Sequence, residues 1–496
     1  MKKQSFFYGA AVLAAASILC KIMSAALKIP LDRLFLHEEG IGIYQSAYSI
    51  YNVFLAFCVT GIPIALSSLV AGESDEEAAS LVKSTCFAVS LLGAAAAALI
   101  FLFSEPLARL LSGGGAAVAA PSLKMLAPAL LVMGVVSSRK GYFQGRSVMT
   151  PSALGQLGES VAKVVLGIAL CAFFVRWGIS YGAAGAIGGV TAGALVQAAL
   201  LEIFFLREKK EKGLFSAKKA LTVFKISIPM TLGAFGFTAV MLLDTLTVPR
   251  LLALGGAETL ERLRLFGHLT RANTIYNLPA TVISAFTASA VPAIALTRAE
   301  NNTAGMGENS VRAIKLIFLA AMPCAFGMIF FPQQLLQFIY SSQEYWQLLA
   351  LSGVMVLIMP YIQTTTAMLQ TLGRVWSPIW VTLGSIALKG VLNVVFVKSK
   401  GITGAPLATI AAFLPALVFN TVMLLRVVPL KGAAVNVLKI MLCALISCGG
   451  ARLIYSMSGT VWALAGCIAL AAAVYFVLVF LTGCITKNEL LGKGQN

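Results

Sequence analysis

Apolar residues along this chain come in runs of about twenty, broken by short polar joints, almost from end to end. A bilayer core of ~30 Å takes about twenty apolar residues of helix. The pattern therefore predicts an all-α integral membrane protein of about fourteen transmembrane helices. The runs fall at 6–29, 42–71, 83–103, 119–141, 153–175, 182–206, 221–248, 270–296, 311–331, 346–371, 378–397, 403–425, 434–454 and 460–482. No stretch is left over for a soluble catalytic domain. The first run imitates a secretory signal, but Leu19 is too bulky to precede a lipoprotein cleavage at Cys20. The helical pattern also continues through Lys21 to Ile29, so the run reads as the first span.

The second half of the chain echoes the first. Ala47-Tyr48-Ser49-Ile50-Tyr51-Asn52 matches Ala272-Asn273-Thr274-Ile275-Tyr276-Asn277, and Gly61-Ile62-Pro63-Ile64-Ala65 matches Ala290-Val291-Pro292-Ala293-Ile294. Gly145-Arg146 with Pro151 returns as Gly373-Arg374 with Pro378, Lys163 as Lys389, and Gly185-Ala186 as Gly404-Ala405. The offsets stay between 219 and 229 and keep their order. Six spans per copy give both copies one orientation, related by an axis along the membrane normal. The expected organisation is an N-lobe over 1–206, a basic cytoplasmic linker over 207–220, a C-lobe over 221–426, and spans thirteen and fourteen with a tail over 427–496. Two such lobes frame a cavity, and rocking them gives alternating access.

Composition agrees with lipid as the solvent. The 496 residues are 59% hydrophobic and 11% charged, with a mean hydropathy of +0.90, against roughly 25% charged in soluble domains. In a membrane protein the sorting of the +18 net charge matters more than its size. With the N-terminus inside, twenty-one of the Lys and Arg fall on inner segments, nine on outer ones and seven within spans. Both termini are expected in the cytoplasm. The acidic joint Glu73-Ser74-Asp75-Glu76-Glu77 runs against that trend, but acids weigh little in orientation. Nine cysteines without a paired short spacing, and two distant histidines, His37 and His268, give no metal or disulfide pattern. No GxxxxGK[ST] loop occurs, which leaves an ion gradient or the membrane potential to drive any pumping.

Lys28-Ile29-Pro30-Leu31, then Glu39-Gly40-Ile41-Gly42-Ile43-Tyr44-Gln45-Ser46-Ala47-Tyr48, then Gly61-Ile62-Pro63 resemble the opening of the stage V sporulation protein B and MurJ-like flippases. These belong to the multidrug/oligosaccharidyl-lipid/polysaccharide exporter superfamily. The resemblance covers the twelve repeated spans, and the final pair fits the same branch. It implies a transporter and not an enzyme. Its cargo would be a polyprenyl-diphosphate-linked cell-wall precursor, typically the undecaprenyl-linked peptidoglycan unit (lipid II), moved from the inner to the outer leaflet of a bacterial cytoplasmic membrane. Basic residues in the central cavity would meet the diphosphate, and the last two spans would hold the lipid tail. A sodium site joining spans seven, eleven and twelve would fall on Asp244, Asn393 and Thr409. Lys389, one turn from Asn393, departs from that pattern, and its ammonium is expected to stand in for the cation and neutralise Asp244.

An ionisable group at bilayer depth costs at least ~2.5 kcal/mol on insertion scales, so each one needs a neighbour or a wet cavity. Lys21 and Lys28 are two helical turns apart on one face of the first span. With Arg271 they are the candidate cations for a diphosphate; snorkelling to the interface is the alternative for Lys28 and Arg271. Tyr48 and Asn52 in the second span, and Asn277 in the eighth, are suited to sugar or amide hydrogen bonds, although tyrosines near span ends also serve as interface anchors. Glu159 and Lys163, at i and i+4, are expected to form a structural ion pair within their own helix. Three rival readings stay open: an exporter of another lipid-linked polysaccharide, a multidrug antiporter, and a non-transporting scaffold of cell-wall or spore assembly. The antiporter would need acids for organic cations, whereas the deep charges here are mostly basic.

Overall fold

The computed structural model describes residues 6–114, 117–208, 213–430, 432–458 and 461–484. Of the cations expected on the inner side, Lys2, Lys3, Lys209, Lys210, Lys212, Lys431, Lys487 and Lys493 lie outside the described residues. Among the described residues the fold is all-helical, as the apolar runs predict, with eighteen α-helices. The chain forms two compact units. The first runs up to Thr270 and includes Asn393–Ala405; the second comprises Arg271–Leu392 and the chain from Pro406 onward.

The first unit contains α1 (Phe6–Leu31), α2 (His37–Leu55), α3 (Ile62–Val70), α4 (Asp75–Leu102), α5 (Ser104–Leu111), α6 (Ala120–Leu131), α7 (Met133–Gly145), α8 (Thr150–Phe174), α9 (Ile179–Leu206), α10 (Ala217–Leu254) and the start of α11 (Thr259–Ala299). The second contains the rest of α11, α12 (Thr303–Phe330), α13 (Pro332–Tyr340), α14 (Trp346–Thr371), most of α15 (Trp376–Lys400) and of α16 (Gly404–Val427), α17 (Ala433–Ser458) and α18 (Val461–Leu481).

Among the described residues, eight helical segments are long and apolar enough to cross a bilayer, and a ninth counts if α6 and α7, bent by 42°, form one span. One of the eight, Trp376–Val427, is 52 residues long. It is a hairpin: Gly401 turns through the left-handed region at φ 61°, and a Cβ on Gly404 would come within 2.2 Å of the Phe396 carbonyl oxygen. Its arms, α15 and α16, are 25 and 24 residues long, each sufficient to span.

The elements depart from the apolar runs where local chemistry intervenes. The second run breaks into α2, a π-helical stretch Ala56–Gly61 and α3, because Pro63 cannot donate to the preceding turn. Pro128 inside α6 does the same ahead of the α6–α7 bend. The helix α11 starts eleven residues before the predicted span, taking in Glu261, Arg262 and Arg264. Arg262 is buried and donates to the carbonyls of Ser112 (3.1 Å) and Gly113 (2.9 Å), which ties the start of α11 to the end of α5.

The acidic joint before α4 has partners in the basic segments. Arg146 donates to the Asp75 carboxylate and to the carbonyls of Glu73 (3.3 Å) and Ser74 (3.4 Å). Lys219 pairs with Glu77. The Ser80 hydroxyl donates to the Leu214 carbonyl, and the Ser216 amide donates to Ser84 Oγ at 2.8 Å. The described part of the basic joint therefore lies along the first turns of α4.

The tightest helix pair of the first unit is α8 with α9. Cβ atoms on Gly185, Gly189 and Gly193 would fall 2.4 Å from the Leu170 carbonyl oxygen, 2.2 Å from the Gly167 Cα and 2.7 Å from the Glu159 carbonyl oxygen. Small residues four apart let two backbones touch, which drives helix association in lipid. Replacing Gly189 with Leu is expected to cost at least ~1–3 kcal/mol by overpacking. A several-degree fall in the detergent melting temperature checks it, with the exposed Gly384→Ala as the near-neutral control.

Candidate functional site

The polar interior of the first unit is built by α1, α2, α7 and α8. Lys28, near the end of α1, is half-buried and donates from Nζ to Gln45 Oε1 at 2.9 Å. The same ammonium lies 5.8 Å from the centroid of the Tyr48 ring, within cation–π range. Tyr48 stacks on Tyr44 at 5.4 Å with the planes inclined by 16°, and Tyr51 follows at 5.9 Å. Spacings of three and four residues put these rings on one side of α2. Asn52, on the next position, is half-buried.

Lys163 Nζ stands 3.9 Å from Glu159 Oε1, an ion pair too long for a hydrogen bond. Lys140 on α7 is 2% exposed and interacts electrostatically with Glu159 and Cys20. Lys163 also acts on Cys20 and Lys28. Lys163 and Lys140 thus both act on Glu159 and Cys20, and Lys163 also acts on Lys28; the buried Asp32 stands four residues after Lys28. At its edge, Arg139 is neutralised by Glu202 at 2.7 Å and stacks 3.7 Å over Phe205. Lys21, the other cation assigned to this face of α1, is exposed and apart from the Lys28 contacts.

Asp244 lies on α10 and is 7% exposed. Asn393 Nδ2 donates to Asp244 Oδ1 at 3.0 Å and to Thr247 Oγ1 at 2.9 Å. Asn393 Oδ1 is buried with no hydrogen-bond partner among the described residues. Within the second unit, Lys389 is fully buried and donates to the Thr409 hydroxyl. Arg271 is buried with its guanidinium 5.1 Å from the Tyr340 ring centroid, and Asn277 is half-buried two turns along α11.

The structure therefore joins Lys28 with Tyr48, Asp244 with Asn393, Lys389 with Thr409, and Glu159 with Lys163. Two participants carry no site reading from the sequence. Lys140 goes with an inner joint there, although it falls within the run 119–141, a placement that signals burial. Thr247 carries no such signal; it is one hydroxyl among many in apolar helices.

The description "Polysaccharide biosynthesis protein" matches residues 6–298 as a family profile. Stage V sporulation protein B of Bacillus subtilis (strain 168) is 26% identical over 99% of this chain and 98% of its own. The lipid II flippase MurJ of the same organism is 21% identical over 84% of this chain and 82% of its own. A solved structure of a lipid II flippase MurJ in an inward closed conformation superposes with a TM-score of 0.76 at 15% identity, covering 97% of this chain and all of that one.

Removing Asn393 deprives the Asp244 carboxylate of a buried amide donor. Asn393→Ala is expected to destabilise the protein by ~1–3 kcal/mol. Thermal unfolding in detergent measures it, and Asn52→Ala, at a half-buried position, is expected to cost less.

Proposed function

We propose, from the premise that this chain belongs to the polysaccharide biosynthesis protein family, that it is a flippase for a polyprenyl-diphosphate-linked cell-wall precursor of the lipid II kind. It moves the cargo from the inner to the outer leaflet of the cytoplasmic membrane, with both termini inside, and its partners are the glycan lipid and the surrounding membrane lipids. The fold is shared by a lipid II flippase and by multidrug MATE transporters, and one curated relative is a lipid II flippase. The finer reading is supported by one observation: Lys28, half-buried in the first unit, is held by the neutral oxygen of Gln45 and the Tyr48 ring, with the buried Lys163 acting on it. A cation held by neutral partners in a low-dielectric setting is complementary to a diphosphate. It is unsuited to an organic cation, which disfavours the multidrug alternative.

In this reading fourteen spans form two six-helix lobes and a terminal pair for the lipid tail. The diphosphate engages Lys28, with Lys21 and Arg271 as further cations along its route, while Tyr48, Asn52 and Asn277 hydrogen-bond the glycan. Asp244, Asn393, Lys389 and Thr409 carry the coupling to sodium or to the membrane potential. An ammonium at position 389 lessens the dependence on sodium, and the ion pair Glu159–Lys163 is structural.

The test is leaflet exchange of fluorescent polyprenyl-diphosphate sugar in proteoliposomes. Lys28→Met is expected to slow exchange on the order of tenfold or more, the loss of one charge-assisted contact of ~1.5–3 kcal/mol. Exchange that is absent for every lipid offered points to the scaffold. In the same vesicles Lys389→Met is expected to increase the dependence on sodium, and an unchanged dependence removes that part of the reading.

A further inference from the structure

A continuous hydrogen-bonded path leads from Lys28 to the helix that carries Asp244. Lys28 Nζ donates to Gln45 Oε1 (2.9 Å), and Gln45 Nε2 donates to Ser49 Oγ (3.1 Å), one turn along α2. Thr245 Oγ1 on α10 lies 2.8 Å from Ser49 Oγ. Gln45, Ser49 and Thr245 are 6%, 1% and 0% exposed, so bulk water does not compete for these bonds. Thr245 is turned about 100° around α10 from Asp244. One helix therefore faces Ser49 with one residue while its neighbour in sequence holds the Asn393 amide.

Proton counting makes the path switchable. Each hydroxyl has one proton. In one arrangement Thr245 donates to Ser49, and Ser49 donates to the Gln45 carbonyl at 2.8 Å. In the other, Ser49 donates to Thr245, and Thr245 donates to the Met241 carbonyl at 2.9 Å. Ser49 Oγ accepts the Gln45 amide hydrogen in both arrangements, and that bond occupies one of its two lone pairs, so Gln45 biases whether the other receives the Thr245 proton. An anion that takes Lys28 releases the Gln45 oxygen and leaves the amide free to turn.

We propose that Gln45, Ser49 and Thr245 are positioning residues that couple occupancy of Lys28 by a diphosphate headgroup to the state of the Asp244 carboxylate. The inference rests on the cargo reading above and adds its linkage. Neutralising Asp244, by a cation or a proton, changes what α10 presents to Ser49 and hence how Lys28 is held. By reciprocity, a diphosphate on Lys28 changes the affinity of the Asp244 site by the same factor.

The test is a double-mutant cycle on the purified full-length protein, reading the dissociation constant of farnesyl diphosphate for wild type, Asp244→Asn, Thr245→Val and the double variant. Asp244→Asn is expected to shift the constant on the order of 5-fold in the wild-type background and by less than about 2-fold beside Thr245→Val. Thr245→Ser, which keeps the hydroxyl, restores the shift; a purely structural role for Thr245 would change the melting temperature and leave the shift intact. Equal shifts in both backgrounds, or none in the wild type, overturn the relay while leaving the cargo reading standing. Farnesyl diphosphate that binds no better than farnesol, or equally well to Lys28→Met, overturns the cargo reading and the relay with it. If Asp244→Asn does not elute as a monodisperse species, the likewise uncharged Asp244→Ser takes its place in the cycle.

Discussion

A charged group in lipid must be given a partner, and the choice of partner decides what the charge can still do. Arg139 meets the Glu202 carboxylate, and Lys219 meets Glu77. Those cations are neutralised and serve to join helices. Lys28 is held instead by the neutral oxygen of Gln45 and the face of Tyr48. Both contacts stabilise an ammonium without cancelling its charge, so the field of Lys28 remains available to an anion. Lys140 and Lys163 both act on Glu159, so these two buried cations depend on a shared acid.

Such a site must be held by a rigid frame, and the frame is made of glycine. Gly185, Gly189 and Gly193 bring α9 onto the backbone of α8. That contact fixes the rotation of α8, which in turn determines that Glu159 and Lys163 face inward. Packing without side chains also leaves no lipid between the two helices. The link from sequence to function runs through three absent Cβ atoms.

The all-helical, multi-span class was legible in the sequence because a hydrocarbon core demands about twenty apolar residues whatever the fold. Elements outside the hydrocarbon obey no such rule. The short helices α5 and α13 passed as joints, although each follows a phenylalanine, Phe103 and Phe331, at an offset of 228 that fits the repeat. The start of α11 looked like a loop because Glu261, Arg262 and Arg264 are charged; the fold buries Arg262 on carbonyls some 150 residues away in sequence. The acidic joint at 73–77 was an anomaly of charge sorting until Arg146 and Lys219 supplied its partners. Of the site, the residue types and their helix faces were legible, since spacing alone sets them. The pairings were not: Lys28 with Gln45, Ser49 with Thr245 and Asn393 with Asp244 depend on how separate helices rotate against one another.

The repeat explains how one scaffold holds two chemistries. Lys163 and Lys389 stand at equivalent positions of α8 and α15. In the first copy Glu159 lies one turn earlier, and α9 offers only glycine, whose backbone closes on α8. In the second copy Ser385 replaces the acid, and α16 supplies Thr409 at an offset of 220 from Gly189; its hydroxyl receives the ammonium. A glycine seam in one copy has become a polar contact in the other, at nearly the same register. At these echoed positions a lysine is ion-paired along its own helix in α8 and held across a helix pair in α15 and α16.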